Sequence, residues 1–208
     1  MSRFHRKTAP RVRNGRVQKK NNWQVSPSWY WGNPPGRVVI DRRRPGEGFR
    51  HLLFKKDIER FIALIPNWRK LAAGLRVVVL ATGQRGCDGW YNRGVLGLCA
   101  WPQQMTFELD VDWYSEHKAF LKRINATVVD GSRELAPVIY WTDDTARAYQ
   151  LCHVFLHELG HHADRMHTRT KVDNGPRGEP FAEGYAFELE ATVLERYFAE
   201  FGVPEPLW

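Results

Sequence analysis

A chain of 208 residues is long enough for one domain with a real hydrophobic core and too short for two of ordinary size. A formal net charge of +8 suggests a nucleic-acid or anionic-surface partner until that charge is located along the chain. Residues 1–40 hold nine Lys or Arg and no Asp or Glu, which leaves 22 basic and 23 acidic side chains in the other 168 residues, so the body is close to neutral.

Residues 1–36 form the basic arm. Few apolar residues, like charges and the run Asn33-Pro34-Pro35-Gly36 make it read as disordered or loosely docked. The arm has no apolar run that would serve as a secretory segment. Nowhere do eighteen apolar residues follow one another, so the expectation is a soluble, cytoplasmic protein with no membrane contact. Trp23, Trp29, Tyr30 and Trp31 complicate the arm. They would either stack on single-stranded nucleic acid or pin the arm to the body, and the lack of an accompanying recognition fold favours pinning. Cys87, Cys99 and Cys152 make an odd count without metal-type spacing, which suits reduced thiols; nothing supports a Cys87–Cys99 pair.

Residues 37–208 are expected to form the domain. From Phe49, FRHLLFKKDIERFIALI has helical spacing that stops at Pro66. RVVVLATG (76–83) and RGVLGLCAW (93–101) are apolar strand runs separated by the glycine-rich turn GQRGCDG. TFELDVDW (106–113) alternates in part, a short helix is expected from Ser115 to Asn125, and APVIYW (136–141) is a fourth strand candidate. The fold class predicted is α+β, a small mixed sheet packed on a histidine-bearing helix and a second, C-terminal helix.

That first helix carries the chemistry. Thr142 is an N-cap followed by Asp143 and Asp144 at the positive end of the dipole, and the helix should run to about Arg165. HVFLHELGHHADRMH (153–167) holds five histidines. On a helical wheel Ala148, Cys152, Phe155, Leu156, Leu159, Ala163 and Met166 gather on one face, with His157, Glu158 and His161 on the other. His157-Glu158-Leu159-Gly160-His161 is an HExxH motif. Imidazoles at i and i+4 lie roughly 5–6 Å apart at Cβ, close enough for both to reach one ion. The intervening Glu158 projects about 100° round the helix and reaches a metal-bound water without binding the metal. Gly160 in mid-helix implies a close approach by the substrate or a neighbouring strand. His153 lies one turn before the motif, and His162 sits at the rim of the apolar face.

A catalytic zinc ion needs a third protein ligand and an open position. After the turn-rich loop HTRTKVDNGPRG, a helix opens at Glu179-Pro180 with Glu179, Glu183 and Glu190 along one stripe; Glu188 and Glu190 suit a solvated acidic face.

HELGHHAD followed by EPFAEGYA resembles the gluzincin metallopeptidases, the clan of thermolysin and the anthrax lethal factor protease domain, over about 30 residues. By that resemblance Zn²⁺ is bound by His157, His161 and Glu179. Glu183 would accept the remaining ring N–H of a ligand histidine. The loop lacks the expected tyrosine, which leaves His167, Arg177 and Tyr185 as unranked candidates to support the oxyanion. The resemblance also implies an edge strand that binds extended peptide, with RGVLGLCAW the choice here. A metzincin-like alternative takes His167, ten residues after His157, as third ligand, but Asp164 stands where that pattern turns on glycine. The expected function is zinc-dependent peptide-bond hydrolysis of a peptide or protein substrate, with Glu158 as general base towards zinc-bound water. The alternative is a nucleic-acid-binding protein that uses its basic arm towards an anionic partner and holds zinc structurally.

Overall fold

The computed structural model describes residues 12–13, 16–17, 28–34, 37–131, 136–167 and 177–208. Most of the basic arm and the loop 168–176 lie outside them, and with them the expectations for Trp23 and for an anionic partner of the arm. Within the arm, Val12–Arg13 pairs antiparallel with Arg16–Val17.

The body is α+β. Its main sheet has four strands, β1 (Val39–Arg42), β2 (Val77–Ala81), β3 (Gly89–Asn92) and β4 (Val95–Cys99), in the order β1-β2-β4-β3. β1, β2 and β4 are parallel, and β3 pairs antiparallel with β4 as the last strand of the sheet. A second, antiparallel sheet contains β5 (Thr106–Glu108), β6 (Thr127–Val129) and β7 (Val138–Tyr140). The longer helices are α1 (Lys55–Leu64), α2 (Val111–Arg123), α3 (Asp143–Tyr149), α4 (Leu156–His167) and α5 (Gly178–Phe201).

Every residue of β2 is buried because both faces of the sheet are covered. Val78, Leu80, Leu96 and Leu98 point into the main core with α1, α4 and α5. Val77, Val79, Ala81 and Val95 point the other way, against Tyr30, Trp31 and Trp90. Tyr30 is 1% exposed, and its hydroxyl donates to Asp41. The packed body therefore begins within the stretch read as arm: Tyr30 and Trp31 pin the chain to the sheet, while Trp29 stays 46% exposed.

Two expectations about strands are corrected. RGVLGLCAW is a central strand, β4, hydrogen-bonded on both sides, so it cannot be the edge. Of the two edge strands, β1 and β3, it is β3 that lies against α4, and its first residue closes the segment read as a turn. The helix expected from Ser115 starts earlier, at Val111, where Asp110 accepts from the backbone N–H of Asp112 and Trp113 as an N-cap.

The histidine-bearing helix is three pieces. Thr142 caps α3 by accepting from the N–H of Thr145. Gln150–Phe155 then forms a π-helical turn before α4 resumes the α geometry. Such turns concentrate at functional sites, since the extra residue redirects side chains. Met166, expected in the apolar face, is 47% exposed near the end of α4.

Candidate metal centre

The site is made where α4 packs on α5. Gly160 permits the contact: a Cβ there would stand 2.8 Å from Ala182 Cα and 2.9 Å from its carbonyl oxygen. The close neighbour is thus the C-terminal helix, and neither substrate nor a strand.

The start of α5 is held by α4 as well. Buried Asp164 accepts from Arg177 N (2.9 Å), Gly178 N (3.2 Å) and Arg177 Nε (2.7 Å). A carboxylate at that helix end satisfies unpaired N–H groups and faces the positive end of the dipole. Gly178, the first helical residue, has φ 65°, which favours glycine.

With α5 so placed, Glu179 comes up to both motif histidines. His157 Nε2 lies 3.2 Å from Glu179 Oε2, and His161 Nε2 lies 3.7 Å from Glu179 Oε1. One ligand atom from each of the three residues lies within 4.8 Å of the others. Ligands about 2.0–2.1 Å from a tetrahedral zinc ion stand about 3.3 Å apart, so both spacing and donor set suit zinc. One turn further along α5, Glu183 Oε2 accepts from His157 Nδ1 at 2.8 Å. That bond fixes the tautomer and leaves Nε2 for an ion.

Electrostatics agree with a pocket built for a cation. Burial alone would lower the His157 pKa, but hydrogen bonds to Glu179 and Glu183 outweigh it and push it up to about 10. Burial would raise Glu183, yet His117 and His157 hold it well below the usual carboxylate range. A metal ion entering here displaces a proton.

Glu158 is buried, although the wheel placed it on the polar side. The edge strand covers it: a Cβ on Gly89 would meet Glu158 Cγ and Oε1 at 2.9 Å.

The remaining candidates go elsewhere. His167 is exposed at the end of α4, which continues helically past Asp164 without the turn that a metzincin-like ligand needs. Arg177 pairs with Asp164 and lies over the Phe181 ring. Tyr185 packs beside Phe181 and near Gly160. His162 is fully buried, accepting from the Tyr91 hydroxyl at Nδ1 (3.1 Å) and donating from Nε2 to Ala73 O (3.0 Å). Cys87 and Cys99 are free thiols 3.5 Å apart.

Sequence reasoning missed a second cluster. His117, His153 and Glu183 also bring ligand atoms within 4.8 Å of one another. Glu190, read as part of a solvated face, is buried against His153 Nδ1 at 2.7 Å, and burial pushes its pKa up to about 8. The available signal was His153 itself, one turn before the motif and facing the glutamate stripe. His117, 36 positions away on α2, carries no local signal.

Comparison with protein-family models, curated proteins and solved structures finds no match to this chain.

Proposed function

We propose that this chain is a zinc metallopeptidase with a zincin-like, gluzincin-type centre: His157, His161 and Glu179 as ligands, Glu183 as the partner of His157, and Glu158 as general base. The observation that carries the proposal is the convergence of the two imidazole Nε2 atoms on the Glu179 carboxylate, with the other nitrogen of His157 already held by Glu183.

Zinc held by His157, His161 and Glu179 would supply Lewis acidity and would lower the pKa of a water to about 7. Glu158 accepts the water's proton as its oxygen adds to the peptide carbonyl carbon, then delivers that proton to the amine nitrogen as the C–N bond breaks. Glu158 lies buried beneath β3. The outer edge of β3 suits an extended peptide, because main-chain hydrogen bonds at a sheet end bind many sequences. The substrate class is therefore an extended peptide or protein segment. Among the described residues no helix is long and apolar enough to cross a membrane.

The test combines zinc content with cleavage of a peptide library by wild type, Glu179→Ala and His167→Ala. Wild type should hold zinc and cleave peptides, Glu179→Ala should lose the ion of this centre together with cleavage, and His167→Ala should match the zinc content of wild type. Wild-type zinc content in Glu179→Ala with a loss in His167→Ala would overturn the ligand set. Zinc without cleavage, together with salt-dependent nucleic-acid binding that vanishes on deleting the arm, would replace the peptidase by a nucleic-acid-binding protein.

A further inference from the structure

The second histidine cluster lies behind the candidate metal centre, between α2, the π-helical turn and α5. His117 Nε2 stands 3.2 Å from His153 Nε2 and 2.7 Å from Glu183 Oε1, and His153 Nε2 stands 3.6 Å from the same oxygen. His117 is 0% and His153 2% exposed.

Hydrogen positions show what this triangle lacks. His117 Nδ1 lies 2.7 Å from Trp113 O, which can only accept, so Nδ1 carries the hydrogen and a neutral ring presents a lone pair at Nε2. That lone pair faces two groups. With His153 Nδ1 donating to Glu190 Oε1, the first contact sets lone pair against lone pair at 3.2 Å. The second, to Glu183 Oε1 at 2.7 Å, is acceptor against acceptor for the neutral ring and calls for a positive charge, a second proton on His117 or a metal ion; Oε1 has no aligned hydrogen-bond donor among the described residues. A cation among the three atoms removes the conflict.

We propose that His117, His153 and Glu183 form a second, largely buried site for a borderline divalent transition ion of the zinc type. Two imidazoles and a carboxylate are the donor set of such ions. The three separations bracket the spacing of about 3.3 Å for ligands around tetrahedral zinc. Both histidines hold their Nδ1 against an acceptor, Trp113 O and Glu190 Oε1, as metal-bound histidines do. When ionised, Glu190 joins Glu183 in balancing a divalent charge.

The site goes beyond the peptidase proposal and does not need it, but Glu183 joins the two centres. Its Oε1 faces the second cluster while its Oε2 accepts from His157 Nδ1. An ion on Oε1 draws electron density from Oε2 and loosens its hold on the His157 proton. The second ion would thereby tune the first, besides tying three helical segments together.

The experiment counts zinc by elemental analysis in the full chain after loading with excess zinc and desalting. Wild type and Glu179→Ala/His161→Ala are compared; the double variant leaves His117, His153, Glu183 and His157 intact. Two ions per wild-type chain and one per double variant are expected, the remaining ion being lost on adding His117→Gln. Because the double variant retains every second-site residue, its count decides even if the triple variant misfolds. One ion in wild type and none in the double variant would overturn the site, leaving a proton shared at His117. One ion in each would uphold this site and overturn the Glu179 centre instead.

Discussion

His157 Nδ1 donates a 2.8 Å hydrogen bond to Glu183 Oε2, while His157 Nε2 faces Glu179 one turn earlier on the same helix. One imidazole is thus gripped from both sides by a single helix, so anything that moves α5 moves the metal centre. Glu183→Ala should lower zinc affinity at the His157–His161–Glu179 centre, or turnover, roughly 10–100-fold, as loss of a partner that orients a ligand does, and should abolish binding of the second ion. Zinc titration of the variant checks this, and wild-type affinity and turnover would contradict it.

Gly160→Ala tests the same dependence from the other helix. Alanine is the better helix former by roughly 0.5–1 kcal/mol, but its Cβ would press on Ala182 backbone atoms that cannot rotate away. Overpacking costs about 1–3 kcal/mol, so the variant should melt lower and bind zinc more weakly together. A stabilised variant with unchanged zinc affinity would show that α5 yields freely.

The N-terminal contact yields a third expectation. Tyr30→Ala removes a fully buried ring from the second face of the sheet and should cost about 3–5 kcal/mol by denaturant unfolding. Trp29→Ala, at a half-exposed neighbour, should stay within about 0.5 kcal/mol. Equal effects would mean that Tyr30 is not packed in solution.

These contrasts show which features were legible from residues alone. The motif histidines and the glutamate stripe could be read because each lies on one helix, where spacing translates directly into geometry. The edge strand could not. Gly89 and Asp88 look like turn formers, and the reason for Gly89, the bulk of Glu158 beneath it, lies far away in sequence. The error about β4 was avoidable in principle, since an unbroken apolar run marks a strand covered on both faces and not an edge. The His117–His153–Glu183 cluster depends on three separate segments meeting, which no local pattern encodes. Gly160 signalled a close approach, but not that a helix would make it.

Acid stability should follow His162. Burial lowers its pKa from 6.5 to about 4, so between those values the unfolded chain binds the proton and the folded chain does not. Stability should fall as pH drops from about 6.5 to about 4, by up to ~3 kcal/mol from this residue, and level off below. His153, lowered by burial to about 3, adds to the same trend. Unfolding curves from pH 7 to 4 should be flatter for His162→Gln than for wild type; an unchanged slope would remove His162 from the account.

The central claim, that Glu158 is the base beside a metal held by other residues, is tested most directly by Glu158→Gln. The amide keeps the size of the side chain under β3 and removes its ability to take a proton. Zinc content and peptide hydrolysis should be measured on one preparation of the purified variant. Wild-type zinc with hydrolysis reduced to background is the predicted result. Hydrolysis at the wild-type rate would contradict the assignment of the base, and loss of zinc with an intact fold would make Glu158 a ligand instead.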